Sequence, residues 1–195
     1  MDGNLNHPKK GDRITVEPIR GQKDIEAIKR LLADRPRDLC LFTFGVNTNL
    51  RASDLLRLTI GQVRGKMPGD GLLLKEKKTG NKRHITLNEA VTDSVNSYLA
   101  ACGGNDGERL FRGIRGPLTV PSVHRLVKGW CRAVGLKGNY GSHTLRKTWG
   151  YHARVTFGES IPVLMAAFGH SSQEQTLAYL CVQPEELEKV YMNRL

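Results

Sequence analysis

Five glycines, at positions 61, 65, 69, 71 and 80, break up one short stretch of an otherwise helical sequence. Glycine inside a helix costs about 1 kcal/mol relative to alanine, so no long helix crosses this region. Two β-prone runs lie here, Leu72-Leu73-Leu74 and His84-Ile85-Thr86-Leu87. The polar loop Lys77-Lys78-Thr79-Gly80-Asn81 between them predicts an antiparallel hairpin, and Gln62-Val63-Arg64 suits a third strand. On both sides the apolar spacing is helical. Upstream, Ile25, Ile28, Leu31 and Leu32 mark a helix that stops at Asp34-Arg35-Pro36. Pro36 opens a second helix with Leu39, Cys40, Phe42, Thr43 and Val46, which ends at Asn47-Thr48-Asn49. A third fits Ser53 to Leu58, with Ser53 as its N-cap. Downstream, segments near 89–101, 120–134, 143–157, 160–168, 173–181 and 184–193 are helical, with Pro162 at a helix start. There is no internal repeat or heptad run. One hairpin among many helices predicts a mainly α domain with a small antiparallel β-sheet (α+β), not a βαβ series. Residues 1–21 read as a polar N-terminal arm. Residues 22–195 read as one domain, closed by an amphipathic tail helix over 184–193 that carries Leu187, Val190 and Tyr191, with Leu195 just beyond.

Charge narrows the partner. The net charge is +11, and its excess is local: residues 51–150 hold eighteen basic and seven acidic side chains, while the two ends together balance. A local excess of this kind points to a polyanion, most often nucleic acid, with a solvated lysine-rich face as the plain alternative. No apolar run reaches the roughly 18 residues that span a bilayer, and the N-terminus has no apolar signal core, so a cytoplasmic, nucleoid-associated protein with no membrane partner is expected. Cys40, Cys102, Cys131 and Cys181 are too far apart for a zinc knuckle and read as reduced, small core residues.

Most motif searches return nothing. There is no phosphate-binding glycine loop for ATP or a dinucleotide, no HExxH, and no acidic cluster of the two-metal kind. Neither a cofactor nor a metal is therefore expected. What remains is an ordered set of basic and phenolic residues: Arg51, Lys78, His143, Arg146, His170 and Tyr179. Each has a plain structural reading. Arg51 could pair with Asp54, His143 could cap a helix, His170 could be a charge at a helix C-terminus, and Tyr179 could pack in the core. Lys75, Lys77 and Lys82 compete with Lys78.

Their contexts carry a family resemblance. Asn49-Leu50-Arg51-Ala52-Ser53-Asp54, Lys78-Thr79-Gly80, His143-Thr144-Leu145-Arg146, Phe168-Gly169-His170 and Tyr179, nine residues after His170, resemble the boxes of the tyrosine recombinases, or phage integrase family. The likeness runs over residues 22–190. It implies the recombinase catalytic-domain fold and a site-specific DNA recombinase working on double-stranded DNA, as a homo-tetramer, without metal or ATP. It also implies that Tyr179 attacks the scissile phosphate to leave a 3′-phosphotyrosine and a free 5′-hydroxyl. Arg51 and Arg146 would hold the phosphate, His143 would act as base, His170 would hydrogen-bond the phosphate, and Lys78, matching the K-x-G hairpin position, would be the general acid. The tail over 184–193 would dock on its own domain or on a neighbouring protomer. The N-terminal clamp domain of relatives is expected to be absent, as in a short invertase or an excised catalytic domain. Phe168 stands where Leu is usual, Asp54 where Glu is usual, and Leu180-Cys181 where Thr-His is common. The rival reading, from another class, is a non-catalytic DNA-binding regulator or architectural protein that keeps the fold.

Overall fold

The computed structural model describes residues 15–78, 80–113 and 116–180, together with residues 188, 191, 192 and 194. Helix α1 spans Gln22–Leu31 and α2 spans Pro36–Thr48. Pro36 occupies the first turn of α2, where a missing N–H is tolerated. The helix ends as expected on Asn49, in the left-handed conformation with φ 54°. Helix α2 is the centre of the domain: Leu41, Phe42 and Phe44 are fully buried along it. Each such side chain contributes about 1.5–3 kcal/mol through burial. It packs against α4 (Glu89–Cys102) and α6 (Ser142–Val155). The approach to α6 is close at Gly45, where an added Cβ would sit 2.5 Å from Leu145 Cδ1.

Helix α3 covers Ala52–Leu55, so its N-cap falls two residues before the predicted Ser53 and it stops three residues short of the predicted Leu58. Arg51, extended at φ −67° and ψ 145°, takes the N-cap position without a side-chain cap. The expected third strand is also absent. Ile60–Gln62 instead form a 3₁₀ turn, closed by Thr59 N–H donating to Gln62 Oε1 at 2.9 Å. The predicted hairpin is present as β1 (Gly71–Lys75) and β2 (Lys82–Thr86), antiparallel, with Leu72 opposite Ile85. A second two-stranded sheet, β3 (Arg112–Gly113) with β4 (Gly116–Pro117), joins the single one expected. The remaining helices are α5 (Val120–Ala133), α7 (Ile161–Phe168) and α8 (Gln173–Leu180).

Two apolar clusters result. The larger runs from Ile19 through α2, α4 and α5 to Leu145. The smaller gathers Ala153, Leu164, Phe168 and Leu180, with Trp149, Ile161 and Tyr179 at its margin. Residues 15–21 pack on the domain: Ile19 is fully buried, its N–H donates to Thr148 Oγ1 at 2.8 Å, and its carbonyl lies 3.0 Å from His152 Nε2. Cys40 and Cys131 are buried as expected, but Cys102 is exposed at the end of α4 and is no core residue. Cys181 and most of the predicted tail helix over 184–193, including Leu187, Val190 and Leu195, lie outside the described residues. Glu188, Tyr191 and Met192 are described and exposed. No helix of the described residues is long and apolar enough to cross a membrane.

Candidate active site

Five of the six residues singled out by sequence line one cleft of about 590 Å³: Arg51, Lys78, His143, His170 and Tyr179. They come from five separate places. Arg51 precedes α3, and Lys78 sits in the turn of the β1–β2 hairpin. His143 is in the first turn of α6, which starts where Thr144 Oγ1 accepts from Gly141 N–H at 3.0 Å. His170 follows Gly169, the left-handed C-cap of α7 at φ 66°, a conformation that suits glycine. Tyr179 is near the end of α8. The rings converge: His170 and Tyr179 have centroids 5.3 Å apart, and His143 and Tyr179 are at 6.5 Å.

Arg146 lies behind this cleft, not in its lining, and is 1% exposed. Its guanidinium carbon stands 5.5 Å from the Tyr179 ring centroid and 5.0 Å from that of Phe168. Nη1 donates to Asn49 O at 2.8 Å and Nη2 to Phe168 O at 2.9 Å. Nε is buried and finds no acceptor among the described residues. Arg51 pairs chiefly with Glu76, at 2.8 Å, and only at 4.0 Å with the expected Asp54. That ion pair engages the buried Nη1 of Arg51, so of the two guanidiniums it is Arg146, through Nε, that keeps a buried donor without an acceptor among the described residues. Buried donors without acceptors are rare and cost about 1–3 kcal/mol each.

Both histidines are pushed toward the neutral form. Crowding by protein, then the positive fields of Arg146, Arg51, Lys147 and Lys78, lowers the pKa of His143 below 6.5. Burial, then Arg146, Arg51 and Arg83, brings His170 to about 4, against a smaller opposing pull from Glu76. Burial and the neighbouring Arg51 and Arg83 likewise disfavour the charge on Arg146.

Several contributors were not singled out by sequence. Glu76, 5% exposed, lies between Arg51 and Arg83. Thr176, fully buried, shares a hydrogen bond with His170 Nδ1 at 3.1 Å. Lys147, almost buried, holds Nζ 6.0 Å from the Tyr179 ring centroid. Phe168, noted in the sequence only as part of its box, stacks under His170, with centroids 5.0 Å apart and planes 10° apart. Glu76, Thr176 and Lys147 meet the site through tertiary contacts that sequence spacing does not show. Among the described residues, no group of three or more His, Cys, Asp or Glu could hold a metal ion.

A mainly helical domain with a phenol, two imidazoles and a guanidinium in one cleft defines the class of the tyrosine recombinase catalytic domain. The Phage integrase family model matches residues 19–186, and the chain belongs to that family. It is 34% identical over 179 residues to the probable integrase/recombinase YoeC of Bacillus subtilis (strain 168), covering 90% of this chain and 95% of that protein. It is 31% identical over 159 residues to the tyrosine recombinase XerC of Rhodospirillum centenum (strain ATCC 51521 / SW), covering 80% of this chain but 45% of that one. The chain thus spans nearly all of YoeC and under half of this XerC. In fold it is similar to XerA recombinase, with TM-score 0.76 and 19% identity over 98% of this chain and 69% of that one. It is also similar to XerH in a post-cleavage complex with palindromic difH substrate, with TM-score 0.74 and 19% identity over 93% of this chain and 53% of that one.

Proposed function

We propose that this protein is a site-specific DNA recombinase that cleaves and rejoins double-stranded DNA through Tyr179. The observation that carries the reading is the one cleft that gathers Arg51, Lys78, His143, His170 and Tyr179, with the Arg146 guanidinium against the Tyr179 ring and its buried Nε without an acceptor among the described residues. A phosphodiester oxygen is an acceptor of the kind that Arg146 Nε lacks. The basic middle of the chain suits the same substrate; of its structural relatives, XerH is bound to its palindromic difH substrate and the Tn1549 transposon integrase to transposon right end DNA.

The Tyr179 hydroxyl attacks the scissile phosphorus. A Tyr Oη–P bond forms, the P–O5′ bond breaks, and a 3′-phosphotyrosine and a 5′-hydroxyl result. The Tyr179 proton passes to His143, whose neutral ring accepts it. The proton that completes the 5′-hydroxyl comes from Lys78. With Thr176 donating to Nδ1, the neutral His170 ring carries its own proton on Nε2 and donates it as a hydrogen bond to a phosphate oxygen. Arg51, and Arg146 through Nε, bind the charge that builds on the non-bridging oxygens. Preorganised donors of this type are worth about 3–4 kcal/mol each. The ester bond energy is kept in the phosphotyrosine, so rejoining needs neither ATP nor, with guanidiniums in the role of the cation, a metal. Work on two duplexes by a homo-tetramer belongs to the same proposal.

The test is covalent capture. A pool of nicked duplexes with randomised sequence is incubated with the protein and resolved on denaturing gels. An adduct with wild type that Tyr179→Phe fails to give is the expected result. Salt-sensitive, purely non-covalent binding by wild type would replace this reading with that of a DNA-binding regulator.

A further inference from the structure

Glu76 is a carboxylate buried immediately after β1, a position that needs compensation. It has two guanidiniums: Arg51 Nη1 at 2.8 Å and Arg83 Nη1 at 3.0 Å. Arg83 uses its second terminal nitrogen on the carbonyl of Ala167, at 2.5 Å, near the end of the helix that leads to His170. The next residue along the hairpin is fixed as well, since Lys77 N–H donates to Asp54 Oδ1 at 2.8 Å. The turn closes through Glu76 N–H to Asn81 O at 2.9 Å and Gly80 N–H to Glu76 O at 3.0 Å. The two residues before Lys78 are therefore both tied to the start of α3, and Lys78 itself is exposed and lines the cleft.

We infer that Glu76, backed by Arg83, is a positioning residue that anchors the β1–β2 hairpin to Arg51 and so sets Lys78 over the scissile phosphate. The inference rests on the function proposed above. A lysine stem carries about 2 kcal/mol of rotamer entropy, and a swinging hairpin would add to it. Pinning residues 76 and 77 confines Nζ to the arc that crosses the cleft, which is what proton donation to a leaving group requires. Glu76 acts here through Lys78 and does not touch the substrate.

Two measurements test this. The first uses a duplex recovered by covalent capture, made with an ordinary 5′-oxygen or with sulfur at the bridging 5′ position. A thiol has a pKa near 8.5, so a sulfur leaving group departs without a proton donor. General acids contribute about 10²–10⁴-fold. Glu76→Ala is expected to slow adduct formation on the oxygen duplex by about 100-fold, the lower end of that range, and to recover the wild-type rate on the sulfur duplex, as Lys78→Ala does. Equal slowing on both duplexes means that Glu76 works through Arg51 and overturns the inference. Glu76→Gln keeps the size and one acceptor, and serves if the alanine variant does not fold.

The second measurement needs no DNA: amide hydrogen exchange of the free protein. The Lys77 and Gly80 amides should lose protection in the Glu76 variants. Unchanged protection overturns the inference whatever the cleavage rates. If wild type forms no adduct while Lys77 still loses protection in the variant, the proposed function falls and Glu76 remains a hairpin anchor only.

Discussion

Replacing Arg146 by alanine should unsettle the fold as well as the reaction. Its guanidinium donates to two carbonyls, Asn49 O and Phe168 O, at 2.8 and 2.9 Å. These join the end of α2 to the end of α7 inside the protein. Hydrogen bonds from a charged donor contribute about 1.5–3 kcal/mol each, so the gross loss is about 3–6 kcal/mol. Two effects offset it. The buried charge and its repulsion from Arg51 and Arg83 are relieved, and water from the neighbouring cleft can reach the vacated carbonyls. Allowing about half for these, the net loss is about 2–3 kcal/mol. In a chain of 195 residues each kcal/mol moves Tm by about 2–4 °C, which gives a fall of about 4–12 °C. Circular dichroism melts of wild type and Arg146→Ala, beside adduct assays below both transitions, check this. Loss of adduct with an unchanged melt would refute the reasoning, because Arg146 would then serve the phosphate alone.

The acid limb of adduct formation should have its midpoint below pH 6.5, because burial and the neighbouring cations hold the His143 pKa under its ordinary value; a midpoint above 6.5 in a rate–pH profile contradicts this. Stability should fall as pH drops from 6.5 to about 4, since the unfolded chain takes a proton there that the folded His170 ring refuses; urea titrations of His170→Gln should show less of that loss. Thr176→Val should cost about 1 kcal/mol of stability and slow adduct formation, with Thr176→Ser close to wild type, as read by denaturant melts and gel assays. Gly150→Ala places a Cβ 2.6 Å from Phe168 Cζ, tilting the ring that underlies His170. It should lose about 1–3 kcal/mol and, at a temperature where it is still folded, more activity than that loss explains.

The local signals in the sequence carried far. Pro36 and Asn49 bound α2 where turn chemistry places them, and the glycine-punctuated stretch does hold the hairpin. Local rules failed where a competing local bond decided the outcome. Gln62 folds back on Thr59 N–H, which turns an apparent strand into a 3₁₀ turn. The strands β3 and β4, two residues each, are too short to leave an alternation. At the site, recognisable boxes pointed to residues that do meet, but gave no hint that Arg146 lies behind the cleft with two of its nitrogens engaged by backbone. Glu76 was invisible for a related reason. Its partner Arg51 is 25 residues away, and a glutamate among lysines at a hairpin tip looks like solvated charge until the chain is folded.

The division of the apolar interior into two clusters has a consequence for timing. Phe168 and Leu180 bring α7 and α8 onto a small nucleus of their own, whereas Arg51 stands between Leu50 and Ala52 of the large one and Arg146, next to Leu145, reaches across to the Phe168 ring. Helices held by few apolar contacts detach at a fraction of the global unfolding free energy. Tyr179 therefore sits on helices with a smaller apolar anchorage than α2 has, tied back to the domain through Phe168 O and Ala167 O. In the proposed reaction, release of α8 would withdraw the phenol while the Arg51 side of the cleft stays in place.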